Sequence, residues 1–356
     1  MANCHELFQH YNRAIKLTDE KRVMLIGVRG SLRKRMKENY LKIPSLDRRN
    51  LDLDFQSQGS FVMDTIIKPL NDDFDLDDGV YFQDGLSEKE RPVPQVFHNW
   101  VIRAIDNNVE YENVKDKTTC VRVQYKLGFH IDIPIYYADG FDSPYLAETK
   151  KGWLLSNPVE FIAWFEGKTK SGFQKAFIYE SVKYAEPYEK WLSDIRKQDC
   201  QIRRLVRYTK AWADLKRSEM PSGIIMTILI GENFAINDRD DIALRDTLLN
   251  LRKYLLSNEF KCPRPTTPIG EDLFAEKSEL EKQFFMNALN ALIQSANKAI
   301  AETSEKEACK EWEKHFGTRF PCHMAKEIIP TIIKNEPNLD ALKRTAVVST
   351  PWSPRS

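Results

Sequence analysis

Residues 129–137 read Phe-His-Ile-Asp-Ile-Pro-Ile-Tyr-Tyr, and that alternation constrains the chain more than any other stretch. Side chains two apart on a strand share a face. Ile131, Ile133 and Ile135 therefore make a core-facing row, with His130, Asp132 and Pro134 on the opposite side. A charged residue in so apolar a strand needs a partner or a metal. Residues 119–126 form a second strand-like run, and Lys126-Leu127-Gly128 between the two reads as a hairpin turn. A third run, Phe-Asp-Leu-Asp-Asp-Gly-Val-Tyr-Phe over 74–82, predicts a strand with Asp75 and Asp77 on one face and Asp78 on the other. Two carboxylates side by side repel each other and stabilise a sheet poorly. They suit a divalent cation, because magnesium takes one or two carboxylates together with phosphate oxygens and water. Asp132 follows Asp77 by 55 residues, enough for the chain to return on a neighbouring strand of the same sheet.

Upstream, residues 53–63 run into Gln58-Gly59-Ser60. A Gly-Ser turn opening a helix offers free backbone N–H groups and a hydroxyl to a phosphate, although Gly-Ser is also common loop filler. Elsewhere the pattern is helical. Leu25, Val28, Leu32, Met36 and Tyr40 predict a helix over 19–40, across Gly27 and Gly30. Residues 95–107 predict a short helix, and Asn157-Pro158-Val159-Glu160 has the cap and first-turn signature of a helix start. From about residue 196 three stripes follow. The first is Ile202, Leu205, Thr209, Trp212 and Ala213, and the second is Leu244, Leu248, Leu251 and Leu255. The third, Leu280, Phe284, Ala288 and Leu292, belongs to a helix over 274–301. The expected layout is a catalytic lobe over 1–195 including N-terminal helices, a helical lobe over 196–344 and a flexible tail over 345–356.

A chain of 356 residues supports a sizeable core. With 42% hydrophobic and 29% charged residues it reads as a soluble globular protein. A formal net charge of +1 gives no global field toward nucleic acid or a membrane. No stretch approaches the roughly 18–20 apolar residues of a membrane span, and Met1-Ala2-Asn3-Cys4-His5-Glu6 has no secretory pattern. The six cysteines, Cys4, Cys120, Cys200, Cys262, Cys309 and Cys322, are scattered and read as reduced thiols of a cytoplasmic protein. Cys309, His315, Cys322 and His323 match no zinc-finger spacing. Trp312 and Phe316, at helical spacing, read as core.

Taken together, Asp75, Asp77 and Asp132 suggest a two-metal site, with Asp132 nearest the attacking hydroxyl. At this point the sequence resembles the polymerase-β-like nucleotidyltransferases, which carry Gly-Ser, then Asp-x-Asp, then a single Asp on a later strand. More closely, Gln58-Gly59-Ser60-Phe61, Asp75-Leu76-Asp77-Asp78-Gly79-Val80-Tyr81 and His130-Ile131-Asp132-Ile133-Pro134-Ile135-Tyr136 look like the cGAS/DncV-like enzymes, or CD-NTases. Arg203-Arg204-Leu205-Val206-Arg207-Tyr208-Thr209-Lys210, Pro221-Ser222-Gly223-Ile224 and Trp312–Pro321 are similar to later segments of that family, so the resemblance covers most of residues 10–322.

The resemblance implies an α+β fold, a polymerase-β-like sheet lobe packed on a C-terminal helical lobe with the active-site cleft between them. It implies that Asp75, Asp77 and Asp132 hold two Mg²⁺ ions, or Mn²⁺ in their place. Gln58, Gly59, Ser60, Lys210 and Ser222 would bind the nucleotide. The implied reaction joins ATP and a second purine nucleoside triphosphate, GTP, into a cyclic di- or trinucleotide that signals in bacterial antiviral defence. The chain would act as a monomer, without stable nucleic-acid or membrane partners; its tail over 346–356 would engage a ubiquitin-transfer-like partner, or Trp352 would fold back onto the helical lobe. Other readings stay open: a related transferase acting on RNA or a small molecule, or a non-catalytic nucleotide-binding regulator on the same fold. Lys210 also reads as part of a solvated basic face, and Ser222 as a helix cap.

Overall fold

The computed structural model describes residues 1–44, 51–71, 73–83, 89–106, 108–138, 143–169, 185–216 and 219–326. The tail over 345–356 lies outside these. Among the described residues the chain runs through α1 (His5–Ile15), α2 (Asp19–Lys42), β1 (Asp52–Ser57), α3 (Gly59–Val62), β2 (Phe74–Gln83), α4 (Pro94–Ile105), β3 (Tyr111–Asp116), β4 (Cys120–Tyr125) and β5 (Phe129–Ala138). It continues with β6 (Tyr145–Glu148), β7 (Gly152–Leu155), α5 (Pro158–Lys168), α6 (Ala185–Gln198), α7 (Gln201–Lys216), α8 (Gly223–Asn233), α9 (Asp240–Ser257), α10 (Glu279–Ala301) and α11 (Glu305–Phe316).

The sheet has the order β1-β2-β5-β4-β3, with β6 pairing β5 and β7 pairing β6. β5 is its spine. Along its whole length it runs parallel to β2; its first part pairs antiparallel with β4 and its last part with β6. The predicted hairpin closes at Gly128, whose N–H donates to Tyr125 O at 3.1 Å. Ile131, Ile133 and Ile135 are buried, in a core with Leu25, Leu32, Met36 and Tyr40 of α2 and Phe97, Trp100 and Val101 of α4. The α2 stripe differs from the expected one in a single position. Val28 is only partly buried, while the neighbouring Arg29 is buried and donates to Ser57.

A second core joins α5 to α11 with α1: Phe8 and Tyr11 pack against Tyr208, Phe316 and Phe320. The helical core thus draws α1, α5 and α6 from the segment assigned by sequence to the catalytic lobe. Trp312 and Phe316 are buried there, as expected.

Two expectations are corrected. Leu280 is 78% exposed and Phe284 only partly buried; α10 buries Ala288 and Leu292 as expected, together with Phe285, Leu289 and Ile293. The helix starts at Glu279, because Ser278 and Glu281 form a reciprocal capping box that sets its first turn. The second correction concerns the thiols. Cys309 on α11 and Cys322 just beyond it are joined as a disulfide, leaving Cys4, Cys120, Cys200 and Cys262 free. The scattered spacing hid the pair, since the turn after Phe316 folds the segment 317–322 back onto α11.

Candidate active site

The register of β2 against β5 sets the site. Asp75 stands opposite His130 and Asp77 opposite Asp132. Asp78 points the other way and accepts from Arg33 Nε at 2.8 Å, as its alternation predicts. The entry to α3 closes over the same strand: Gln58 N–H donates to Asp77 O at 3.2 Å. Gly59 has φ of +70°, and a Cβ there would stand 2.2 Å from Asp77 Oδ2. Only glycine meets both the left-handed backbone and that close approach. Gln58 is buried, and its Oε1 accepts from the Tyr136 hydroxyl at 3.4 Å.

The charges are tightly coupled. Burial pushes the Asp77 carboxyl well above its ordinary pKa, and the neighbouring Asp75 and Asp132 push it further; Lys210 and His130 pull the other way. Asp132 is 8% exposed and accepts a bidentate pair from Arg122, Nε to Oδ1 and Nη2 to Oδ2, both at 2.6 Å. Lys117 Nζ lies 3.7 Å from its second oxygen. His130 Nδ1 is 2.9 Å from Asp73 and its Nε2 is 3.2 Å from Asp75. Burial lowers the imidazole pKa, but hydrogen bonding and charge from Asp75, joined by Asp73, raise it more.

This donor set fits a divalent cation. Oxygens of Asp75 and Asp132 and a ring nitrogen of His130 lie within 4.8 Å of one another. A carboxyl whose pKa is raised by burial and by two neighbouring carboxylates, as that of Asp77 is, marks negative charge that a cation relieves. His130 was not among the expected ligands. It shares a strand face with Asp132, which was visible in the alternation. Nitrogen suits manganese better than magnesium.

On the helical side, Lys210 reaches in from α7. Its Nζ donates to Thr65 Oγ1 at 3.3 Å, and burial lowers its pKa to about 8 against the raising effect of Asp77. It is therefore part of the cleft wall and not of a solvated face. Ser222 occupies the cap position of α8, as the cap reading expects, and its carbonyl accepts from Met226 N at 3.0 Å, but its side chain makes no capping bond. Ser222 is exposed and is not among the residues lining the two cavities described next; its neighbour Gly223 is.

A cavity of about 360 Å³ is lined by Gln58, Gly59, Ser60, Asp75, Asp77 and Lys210 together with Tyr136, Asn157, Phe161, Gly223, Arg264 and Thr267. An adjoining cavity of about 400 Å³ shares Ser60, Asp75, Lys210 and Gly223 and extends to Asp73, Phe74, Asp214 and Met220. α5 enters the wall at its capped start, where the Asn157 side chain accepts from Glu160 N at 3.0 Å. Arg122, Lys117, Arg264 and Thr267 are not among the residues that the sequence singles out. Arg122 had a usable signal. It and Asp132 are equidistant from Leu127, so the predicted hairpin makes them cross-strand partners. Arg264 and Thr267 come from an irregular segment and had none.

Comparison with known proteins adds three findings. Residues 53–136 match the family described as "Cyclic GMP-AMP synthase DncV-like, nucleotidyltransferase domain". Among curated proteins, a "Cyclic GMP-AMP synthase" of Escherichia albertii is 24% identical over 72% of this chain and 54% of its own length. A "c-di-GMP synthase" of Roseivirga ehrenbergii is 24% identical over 70% of this chain and 69% of its own length. The chain thus spans about half the length of the first of these relatives and somewhat more of the second. Among solved structures, the Vibrio cholerae DncV cyclic AMP-GMP synthase in complex with a linear intermediate superposes with a TM-score of 0.68, at 20% identity, over 90% of this chain and 98% of that one. That likeness establishes the α+β fold.

Proposed function

We propose that this chain, which carries a nucleotidyltransferase domain of the DncV-like family, joins ATP and a second purine nucleoside triphosphate into a cyclic di- or trinucleotide and releases pyrophosphate. The observation that carries this is the register of β2 and β5, in which Asp77 stands beside Asp132 and Asp75 beside His130, with Asp75 and Asp77 lining a nucleotide-sized cleft. The names of the relatives support the cyclic product.

Two divalent cations, when bound, would acidify the attacking hydroxyl and neutralise charge on the triphosphate. Asp75, Asp77 and Asp132 would hold them, with His130 beside them. The chain's own contributions are otherwise positional. Ser60 and the N–H groups at the start of α3 face the phosphates, and Lys210 adds a point charge from α7. Ser222 and Gly223 bring the first turn of α8 to the same end, where the helix dipole favours an anion. Arg122 fixes the rotamer of Asp132 through both carboxylate oxygens. Charge built up at the reacting phosphorus meets donors already in place.

Incubation with ATP, GTP and Mg²⁺ or Mn²⁺, followed by pyrophosphate release, tests the reading. The Asp77→Asn, Asp132→Asn double variant is expected to release none above background. Release at the wild-type rate would remove these residues from catalysis. A role in antiviral signalling, and a partner for residues 346–356, rest on the family resemblance. Truncation after Thr345 is expected to leave synthesis intact, and a collapse of synthesis would place the tail in the catalytic body.

A further inference from the structure

The phosphate and cation assignments leave one guanidinium of the cleft unused. Arg264 lines the cavity together with Tyr136 and Phe161. Its position is fixed from behind. Its Nε donates to Glu271 Oε2 at 2.7 Å, and its backbone N–H donates to Glu271 O at 2.8 Å. Gly270 N–H donates back to Arg264 O at 2.9 Å, and Thr267 N–H donates to Glu160 Oε2 at 3.1 Å, which ties the turn to α5. Among the described residues no protein group accepts from the two terminal amino groups of Arg264.

The cavity wall is divided between polar and apolar groups. Ser60, Lys210 and the start of α8 suit phosphate. Tyr136 and Phe161 suit a flat aromatic ring, and Tyr136 is itself held by stacking on Tyr81, with centroids 4.7 Å apart and planes 15° apart. We propose that Arg264 reads the base of one bound nucleotide and selects guanine. The inference rests on the nucleotide-joining reading above. A guanidinium offers parallel donors, and the O6 and N7 of guanine are a matching pair of acceptors. Adenine presents N7 beside the N6 amino group, so one donor of the fork meets another donor. Burying that mismatch is unfavourable, and selectivity follows from the penalty as much as from the new bonds.

Calorimetry on the full chain with Mg²⁺ and the non-hydrolysable α,β-methylene analogues of GTP and ATP tests this. Arg264→Ala is expected to weaken the guanine analogue roughly tenfold or more, while the adenine analogue changes by less than about twofold. Arg264→Lys keeps the charge without the fork and is expected not to restore the preference. In the wild type, the inosine analogue, which keeps O6 and N7, should bind like the guanine one, and a 7-deaza guanine analogue should bind more weakly. Equal losses for both bases in Arg264→Ala would make Arg264 a phosphate contact and overturn the proposal. Unchanged binding in a variant with unaltered melting temperature would reduce Arg264 to the structural partner of Glu271, with the same consequence. A wild type that binds neither analogue would overturn the nucleotide-joining reading along with it.

Discussion

Asp77 sits where a carboxylate is least at ease without a cation. Its folded pKa is raised above the ordinary aspartate value of 3.8, by burial first and then by Asp75 and Asp132. A raised acid pKa means that the unfolded chain ionises more readily. Above pH 3.8 the group therefore favours unfolding, and the penalty persists at neutral pH. Asp77→Asn is expected to leave the metal-free melting temperature unchanged or higher, and to abolish the stabilisation that added Mg²⁺ or Mn²⁺ gives the wild type. A lower metal-free melting temperature would contradict the electrostatic picture. At the phosphate end, Ser60→Ala and Lys210→Ala should weaken triphosphate binding more than they disturb folding, as read by calorimetry and thermal melts. Unchanged ATP and GTP affinity in both would remove them from the site. At this scale the sequence was informative wherever period-two alternation assigned faces, as for Asp75, Asp77, Asp78 and Asp132. It failed for Arg264, which reaches the cleft from a segment without periodicity.

Among the elements, α3 is only four residues long and cannot hold itself in place. Its C-terminal end is fixed from α7: Arg203 Nη1 donates to Met63 O at 2.8 Å, while the same guanidinium pairs with Glu166 at 2.8 and 2.6 Å. Both side chains are fully buried. Removing one charge strands the other, at a cost of about 3–5 kcal/mol, whereas an apolar pair of similar volume is tolerated better. Arg203→Met is therefore expected to lose stability of that order in urea denaturation, and Arg203→Met with Glu166→Leu to regain most of it. The double variant should still bind triphosphate less well, because Met63 O is left without its donor and the α3 turn that carries Ser60 loosens. Full recovery of both properties would show that the pair has no part in placing α3. Helix ends were legible where capping chemistry was written locally, as at Asn157. The same chemistry at Ser278-x-x-Glu281 sets the start of α10 and overrides the stripe that would put Leu280 inward. Strands β3, β6 and β7 escaped notice because short, half-exposed strands carry little alternation.

At the scale of the whole molecule, two cores share the cleft between them, and the helical one carries an acid-sensitive group far from the acidic cluster. His315, on α11, has its Nε2 3.0 Å from Ser295 Oγ. Burial, aided by Lys216 and Lys314, lowers its pKa from 6.5 to about 4. The native chain thus keeps it neutral while the unfolded chain takes up a proton below pH 6.5. The stability it contributes is complete above that value and is lost as the pH falls toward 4. His315→Gln should lose less melting temperature than the wild type between pH 7 and pH 5. An identical acid profile would mean that His315 does not control it. The disulfide between Cys309 and Cys322 belongs to this scale too, since pairing of scattered cysteines depends on how the chain folds back and is not written in their spacing.

Under the proposed function the acidic cluster closes a cyclic oligonucleotide from nucleoside triphosphates. The most direct measurement supplies all four triphosphates with Mg²⁺ or Mn²⁺, treats the products with phosphatase and weighs what survives by mass spectrometry. A phosphatase-resistant cyclic product containing adenine is expected from the wild type and not from Asp132→Asn. Linear products only, or synthesis that requires an RNA primer, would contradict the proposed function.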